Sequence, residues 1–436
     1  MFPQYITGRA GCQMRLSERI KYAKLYINQS PDRKERGGNM RAFLRRLARP
    51  YEADGKFVAS ADLLRIISVY VIAWYHIWQQ SWLNPVLRIG SVRIDFNPLV
   101  RTGYLMVDLL LMLSGFLLFL PYARCRLEQK PFPRIGEYYK KRAARILPSY
   151  LFCIFVVLFC FALPRGEYGN AKHLWTDLIG HLTFTHNLNA LSYQSTRLNG
   201  ALWTLAVEVQ FYLIAPFVCR AFARKPLPTY LAMTAAAFAY RFFCVLPMDS
   251  HSLHFNRLPA MLDVYANGMM GALIYAALCK HAKKSGWTAL AATVVSALCV
   301  CGIYHLMLGQ MRESGYPAIH IGQMVRRFPL SAAGALFTVS AGLSFHWLAR
   351  LISCGPVRWL SAISYNVYIW HAYAAIKMKE WHIPAYVNPS PNQAGEQPWQ
   401  LHYTLLSLGA AVALGALITY CIERPAAKLI LRKKRS

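Results

Sequence analysis

The stretch LLRIISVYVIAWYHIWQQSW, residues 63–82, decides the fold class. It is mostly apolar, and about twenty residues is the length a helix needs to cross ~30 Å of hydrocarbon. Further stretches of similar length and character lie at 103–121, 146–164, 201–219, 228–247, 259–279, 287–308, 329–349, 359–377 and 402–422. We therefore expect an all-α, polytopic membrane helix bundle with about ten transmembrane helices, with eleven as the alternative count.

The strong positive charge of the chain fits this topology. Its 436 residues include 49 Lys and Arg against 19 Asp and Glu, a formal charge of +30. Such a balance is typical of nucleic-acid binding, but membrane proteins also concentrate Lys and Arg in cytoplasmic segments. Threading ten spans with the amino terminus inside puts most of these residues inside. We therefore expect a multi-pass protein of the cell (plasma or inner) membrane, with cytoplasmic termini and the lipid bilayer, not nucleic acid, as partner.

The chain divides into a hydrophobic part and two basic tails. Residues 1–57 are predicted as a basic cytoplasmic tail, 58–430 as the transmembrane domain and 431–436 as a second basic cytoplasmic tail. No apolar run precedes the first span, so an uncleaved signal anchor is expected. The piece His173 to Phe184 is predicted as a helix too short to span. The eleven cysteines show no CxxC pairing and no zinc spacing, so no metal site is expected.

Ionisable side chains inside apolar stretches are costly, so each is a functional candidate. Arg65 and His76 lie eleven residues apart, close to three helical turns and ~16 Å of rise. They therefore share one face of the first helix, with Arg65 near its inner end. Each has a structural alternative, because Arg65 can snorkel to the boundary and His76 can bond to a neighbouring helix. The other candidates are Asp108, Glu208, Arg241, Asp263, His305, His346 and His371.

Two later spans bring ionisable groups to the depth of His76. Trp203 fits an interfacial aromatic residue. Glu208 lies five residues deeper, where a lone carboxylate prefers to be neutral or paired. The ninth span runs from inside to outside, which places His371 in its outer half. We therefore expect His76, Glu208 and His371 to meet at similar depth.

Polar residues of the second and third spans have both structural and functional interpretations. Asp108 can cap its helix or pair with a basic residue, and Ser114-Gly115 favours close helix packing. Arg142 and Arg145 lie three residues apart, so they share a helix face. Their planar guanidinium groups suit phosphate, although ordinary positive-inside charge also accounts for them.

In this order, these residues resemble the acyltransferase 3 family of membrane proteins, which acylate extracytoplasmic glycans and related acceptors. The resemblance covers roughly residues 58 to 430. Two departures bear on the acceptor: Thr204 replaces the usual Ser, and Leu110-Leu111 replace a common aromatic pair. The motifs are Arg65 with His76; Gly103, Val107-Asp108 and Leu113-Ser114-Gly115-Phe116; Arg142 with Arg145-Ile146-Leu147-Pro148; Trp203, Glu208 and Gln210-Phe211-Tyr212; Ser364-Tyr365, Tyr368 and Trp370-His371; and Glu423-Arg424-Pro425.

The resemblance implies an enzyme that moves an acyl group, acetyl in the first instance, from cytoplasmic acetyl-CoA or another acyl-CoA to a hydroxyl of an extracytoplasmic glycan or similar acceptor. Acyl-CoA would bind at Arg65, Arg142 and Arg145. His76 would be a general base or an acyl-carrying nucleophile. Glu208 would orient His76 or the acceptor, and His371 would be a second acid or orienter. The pocket and its support would come from Asp108, Ser114, Gly115, Trp203, Tyr212 and Tyr365.

The alternative is a transporter or flippase of a glycan or lipid-linked precursor. Intramembrane His and Glu side chains can relay protons in such proteins. The sequence shows no internal repeat, and many transporter folds carry one. The spacing of Arg65 and His76 and the Arg142–Arg145 element favour the enzyme. The sequence leaves open the acceptor and the choice of acetyl, succinyl or a longer acyl group.

Overall fold

The chain is described by a computed structural model. The residues it describes are 58–247, 251–282, 285–345, 347, 354–395 and 397–432. The predicted amino-terminal tail at 1–57, residues 433–436 of the predicted carboxy-terminal tail, and His346 lie outside these residues.

The described chain is almost entirely helical, as predicted. In chain order its elements are α1 (Ala59–Ser81), β1 (Val86–Ile89), β2 (Val92–Asp95), α2 (Asn97–Arg101), α3 (Met106–Leu127), α4 (Ile135–Val157), α5 (Ala171–Leu182), α6 (Ala190–Tyr193), α7 (Trp203–Arg224), α8 (Pro226–Tyr240), α9 (His251–Phe255), α10 (Leu262–His281), α11 (Gly286–Met311), α12 (Tyr316–Ala341), α13 (Gly355–Glu380), α14 (Gln397–Ile418) and α15 (Arg424–Leu431). Short π-helical turns extend α4, α8 and α14 through Leu158–Ala162, Arg241–Val245 and Thr419–Glu423.

Helix length and composition identify a membrane protein. Within the described ranges, six helical segments are long and apolar enough to cross a bilayer. Each of the ten predicted stretches overlaps a helix of the structure. The all-α membrane fold is therefore confirmed, and the count of about ten spans stays a prediction. The six segments are Gly103–Leu127, Ile135–Ala162, Gly200–Arg224, Leu258–His281, Gly286–Met311 and Pro398–Leu431.

The centre of the bundle is the close contact between α3 and α10. A Cβ atom added at Gly115 would lie 2.5 Å from the Tyr265 carbonyl oxygen, and one added at Gly268 would lie 2.0 Å from the Met112 carbonyl oxygen. Only glycine allows backbones to approach this closely. In the structure Gly115 lies at this close contact with α10, which sets how the polar residues of α3 are placed in the bundle.

Helix α1 is a single unbroken helix that packs against α3 and α13. Its buried side includes Leu64, Val69 and Ile72. Arg65 and His76 lie on this one helix, so the predicted rise of ~16 Å between them applies. The helix therefore sets the distance between two functional candidates.

The segment between α4 and α7 packs through polar bonds. Its helix α5 confirms the short helix predicted there. The Asp177 carboxylate accepts from the Tyr168 hydroxyl (2.9 Å) and the Thr196 hydroxyl (3.1 Å). The side-chain amide of Gln210 on α7 donates to the Phe184 carbonyl and to Asn187, both at 2.8 Å. These bonds join the segment to α7, whose first residue is Trp203.

A short antiparallel hairpin follows α1, and the sequence did not predict it. Strands β1 and β2 pair Val86 with Asp95 and Ile89 with Val92. Gly90 occupies the turn with a φ of +59°, a conformation that favours glycine. The sequence gives little sign of these strands, because each is only four residues long and an arginine interrupts its apolar residues.

Candidate active site

One end of the site is a cavity with four basic side chains, here called the basic cavity. It encloses about 990 Å³, open mouth included. Its charged lining consists of Arg65, Lys141, Arg145 and Arg358 with the carboxylates Asp62 and Glu423. Excess positive charge around a concave surface suits an anionic ligand.

Arg65 is held in place at this cavity. Its guanidinium donates to the Asp62 carboxylate at 2.6 Å, and the same carboxylate accepts from the Ser361 hydroxyl at 2.9 Å. The Arg65 side chain is 17% exposed. It is therefore a positioned cation inside the bundle and not a side chain that snorkels into solvent.

A second cavity, here called the central cavity, continues from the first. It takes in about 760 Å³, open solvent included, and Arg65, Arg145 and Tyr365 line both cavities. Arg142 also lines it, with its guanidinium carbon 5.6 Å from the centre of the Tyr212 ring. The structure thus brings together the three arginines that were predicted as one group.

Glu208 lies in the central cavity within a cluster of hydroxyl groups. Its carboxylate accepts a hydrogen bond from the Ser114 hydroxyl at 2.9 Å and another from Tyr212. Ser114 therefore points into the cavity, although packing was its alternative. The Tyr365 hydroxyl donates to the Ile146 carbonyl at 3.1 Å, which fixes another wall of this cavity.

The third cavity, here called the aromatic cavity, lies at the other end of α1. It takes in about 780 Å³, open solvent included. Among the described residues, its lining includes no Lys, Arg, Asp or Glu. Val107 and Tyr368 line both this cavity and the central one. Its polar and aromatic lining consists of Tyr75, His76, Tyr104, Trp203, Asn256, His320, Gln323 and Tyr368.

The imidazole of His76 has a defined tautomer. Its Nδ1 lies 2.8 Å from the side-chain oxygen of Gln79, and the Gln79 nitrogen donates to the Tyr75 hydroxyl at 2.9 Å. An amide oxygen only accepts, so Nδ1 of the neutral ring carries the proton and Nε2 keeps a lone pair. His76 is half-buried and lines the aromatic cavity. It is therefore placed to accept a proton there.

His371 lies directly beside His76. The two ring centres are 5.1 Å apart. His371 is fully buried, and its Nδ1 donates to the Tyr368 carbonyl at 2.6 Å. Its Nε2 is buried with no hydrogen-bond partner in the described part of the chain. The structure therefore places His76 and His371 next to each other, as the sequence predicted for this pair.

Glu208 does not share the surroundings of His76. It lines the central cavity, while His76 lines the aromatic cavity. Within the described residues, its hydrogen-bond partners are Ser114 and Tyr212. The side chain that orients His76 in the structure is Gln79, three residues further along α1. We expected His76, Glu208 and His371 to lie together. In the structure His76 and His371 are neighbours, and Glu208 lines a different cavity.

Asp108 is paired with a basic residue, which was the structural interpretation of this side chain. It pairs with Arg327 at 3.0 Å, and both side chains are almost completely buried. Arg327 also donates to the Phe255 carbonyl at 2.8 Å. Arg241 and Asp263, also candidates, form a second buried pair at 2.5 Å. Buried charges are tolerated when paired in this way.

Some residues of these cavities were missed by sequence reasoning. Gln79 lies three residues from His76, and that helical spacing was the signal available for it. Arg327 lies just before the predicted eighth span, but α12 already begins at Tyr316. Asn256 and Gln323 carry no motif that marks them. In the described ranges, no group of three or more His, Cys, Asp or Glu side chains could hold a metal ion.

The family model for an acyltransferase domain matches residues 58–421. The chain belongs to the acyltransferase 3 family. The predicted resemblance is confirmed, and the match covers the three cavities except for a few residues at the carboxy-terminal edge of the basic one.

Named relatives of the chain are O-acetyltransferases. It is similar to YrhL of Bacillus subtilis, provisionally named a peptidoglycan O-acetyltransferase, with 23% identity over 85% of this chain and 55% of YrhL. It is also similar to peptidoglycan O-acetyltransferase OatA of Listeria monocytogenes (22% identity, 72% of this chain, 49% of OatA). It is similar as well to O-acetyltransferase OatA of Staphylococcus aureus, with 23% identity over 76% of this chain and 53% of that OatA. The chain thus spans about half the length of these relatives. No solved structure matches it.

Proposed function

We propose that the chain is a membrane-embedded acyltransferase that moves an acyl group, acetyl by preference, from acyl-CoA to a hydroxyl of a glycan or similar acceptor. The observation that carries this proposal is the row of three cavities along α1. The row starts among arginines at Arg65 and ends at a half-buried imidazole, His76. A polyanionic donor and a hydroxyl acceptor would enter from opposite ends.

The donor would bind with its nucleotide in the basic cavity. Phosphate oxygens accept charge-assisted hydrogen bonds from guanidinium groups, and Arg65 and Arg145 line both this cavity and the central one. The pantetheine arm would lie in the central cavity beside Ser114 and Glu208. The helical rise of ~16 Å from Arg65 to His76 fits an extended arm of that kind.

The acyl transfer would occur where the central and aromatic cavities meet. His76 Nε2 accepts the proton of the acceptor hydroxyl while the hydroxyl oxygen attacks the thioester carbonyl carbon. A C–O bond forms, the C–S bond breaks, and the proton passes from His76 to the leaving thiolate. Gln79 keeps the required tautomer, as a carboxylate does for the histidine of hydrolytic triads. His371 supports the ring of His76 from its buried side.

The acceptor side is proposed from the relatives and from the membrane. Two relatives carry peptidoglycan in their names, so a surface glycan is the proposed acceptor class. We place the basic cavity on the cytoplasmic side, where acyl-CoA is made, and both termini on that side as the positive-inside bias indicates. The aromatic cavity then faces outward from the cell membrane.

The test uses the purified full chain in liposomes with labelled acetyl-CoA and a panel of glycan acceptors. An acyltransferase releases CoA and labels the acceptor, with both rates depending on the acceptor. A transporter leaves acetyl-CoA unchanged, and that result would overturn the proposal.

A further inference from the structure

The aromatic cavity has a lining that selects for the charge of its ligand. Four of its side chains are aromatic rings of Tyr or Trp, and two are amides, Asn256 and Gln323. Within the described part of the chain, the lining has no carboxylate, ammonium or guanidinium group. An anionic ligand group buried there would lose its water, which is unfavourable, and could pair only with a protonated imidazole of His76 or His320. A protonated His76 could not act as the proposed base, and a cationic ligand group would find no carboxylate in the described lining. The lining therefore favours a ligand that is polar but uncharged.

Gln323 on α12 is the side chain with unused bonding capacity. It is 7% exposed and lines the cavity, and its amide makes no hydrogen bond to another described residue. Its nitrogen and oxygen are not among the fully buried unpartnered atoms of the described residues, so they are open to the cavity. An amide offers two donors and one acceptor oxygen to a ligand there. The unpartnered amide therefore points to a ligand that both accepts and donates hydrogen bonds.

The neighbouring Asn256 shows the contrasting case. Its side-chain nitrogen donates to the Tyr193 hydroxyl at 2.9 Å, and its oxygen accepts from Arg327 at 3.4 Å. Both ends of this amide are engaged within the protein. Asn256 is thus a wall of the cavity, whereas Gln323 is free to bind.

Trp203 supplies a flat surface in the same cavity. It is half-buried, and its ring stands edge-on to Tyr193 with the centroids 6.4 Å apart. Indole rings combine a large apolar face with one N–H donor, so they suit ligands with one apolar face and a polar edge. A sugar ring has this character, since its C–H groups form faces and its hydroxyls form the edge.

We propose that the aromatic cavity binds an uncharged sugar ring that carries the acceptor hydroxyl, and that Gln323 and Trp203 determine this specificity. Gln323 bonds to the ring substituents, and Trp203 lies against a ring face. Sugars with a carboxylate or phosphate on the reacting ring are excluded. This inference rests on the proposed function.

The first experiment compares matched acceptors with the full chain in liposomes and labelled acetyl-CoA. The acceptors are N-acetylhexosamine oligosaccharides whose alternate rings carry, on one secondary hydroxyl, either an O-carboxymethyl ether or the neutral methyl ester of that ether. Both keep the primary hydroxyl on the modified rings, so the two acceptors differ in the charge of those rings. We expect label on the neutral rings at least about tenfold above label on the carboxylate rings. Equal labelling of both ring types would overturn the inference while leaving the proposed function intact.

The second experiment changes the amide. Gln323→Leu keeps the size and removes the hydrogen bonds, so we expect the acceptor KM to rise about tenfold and the acetyl-CoA KM to stay within about twofold. An unchanged acceptor KM would remove Gln323 from the binding site.

The third experiment asks whether a variant can gain activity on charged rings, because a variant that folds poorly would only lose activity. Gln323→Lys supplies a counter-charge, so we expect the labelling of carboxylate rings relative to neutral rings to increase at least about fivefold. Gln129→Lys, at an exposed position between α3 and α4, adds the same charge elsewhere and should leave the ratio unchanged. An unchanged ratio in Gln323→Lys would contradict the inference. A wild-type chain that consumes no acetyl-CoA with any acceptor would overturn the proposed function and this inference together.

Discussion

The basic and aromatic cavities lie at opposite ends of α1 and differ in chemical character. The basic cavity has four cationic side chains and two carboxylates. The aromatic cavity has none of these among the described residues, and its polar groups are hydroxyls, amides and imidazoles. Both cavities share lining residues with the central one: Arg65, Arg145 and Tyr365 for the basic cavity, and Val107 and Tyr368 for the aromatic cavity.

Two cavities of such different lining would let one helix bundle bind two substrates of opposite character, as the proposed function requires. Coulombic attraction concentrates a polyanion at one end, while hydrogen bonds and ring faces hold a neutral polar ligand at the other. Under the proposed function the two ligands would not compete, because they would bind in different cavities. Variants that affect one end alone are therefore the sharpest tests of the comparison.

The largest effect is expected at His76. Replacing it with alanine removes the proposed base from the aromatic cavity, so acyl transfer should fall about a hundredfold or more. Turnover is measured as label transferred from acetyl-CoA. The matched control is His305→Ala, because His305 is an exposed histidine on α11. Retention of more than about a tenth of wild-type turnover would show that the chemistry occurs elsewhere.

The next effect concerns the arginines of the central cavity. Arg142→Ala with Arg145→Ala should raise the acetyl-CoA Kd about tenfold to a hundredfold, since charge-assisted bonds to phosphate are lost. The acceptor KM should stay nearly constant. Arg124→Ala with Arg126→Ala, at the end of α3, changes the net charge equally outside the lining of the three cavities. If both double variants bind acetyl-CoA as the wild type does, the donor site lies elsewhere.

A smaller effect is expected at Gln79. Gln79→Leu removes the acceptor for His76 Nδ1, so kcat should fall about tenfold with the acetyl-CoA KM unchanged. Gln79→Glu keeps an acceptor at this position and should retain more activity than Gln79→Leu. Equal loss in both variants would mean that side-chain shape, and not the hydrogen bond to His76, is what matters at Gln79.

The smallest effect is expected where the central and aromatic cavities meet. The Thr204 and Tyr368 hydroxyls are 2.7 Å apart. Thr204→Val removes this one hydrogen bond at nearly constant volume, so transfer should fall about threefold. Thr204→Ser restores the hydroxyl and should restore the rate. A Val variant as active as the wild type would show that Tyr368 needs no support from this bond.

Much of the fold and part of the site could be predicted because their signals are local. Helix positions follow from apolar length, and the shared face of Arg65 and His76 follows from helical period. The grouping of Arg142 with Arg145 is local for the same reason. These features need no knowledge of which helices are neighbours.

The remainder depends on contacts between distant parts of the chain. Asp108 and Arg327 form an ion pair although 219 positions separate them in the sequence. Each is buried because the other neutralises its charge, and neither residue alone predicts that partner. Glu208 was assigned to His76 by depth alone, but depth does not say which way a side chain points around its helix. Thr204, first seen only as a departure from the motif, bonds to Tyr368 on a helix far along the chain.

The low exposure of the residues between the central and aromatic cavities would have a consequence for the energetics of the cell. Val107 and Tyr368, the residues shared by both, are each 6% exposed. A small acyl group could pass between them within its covalent carrier, whereas a hydrated sodium or hydronium ion would have to shed its water at an apolar surface. If the two substrates meet between Val107 and Tyr368 as proposed, the same two residues would keep the membrane tight to ions. A cell could then modify its exterior continuously without discharging its transmembrane potential.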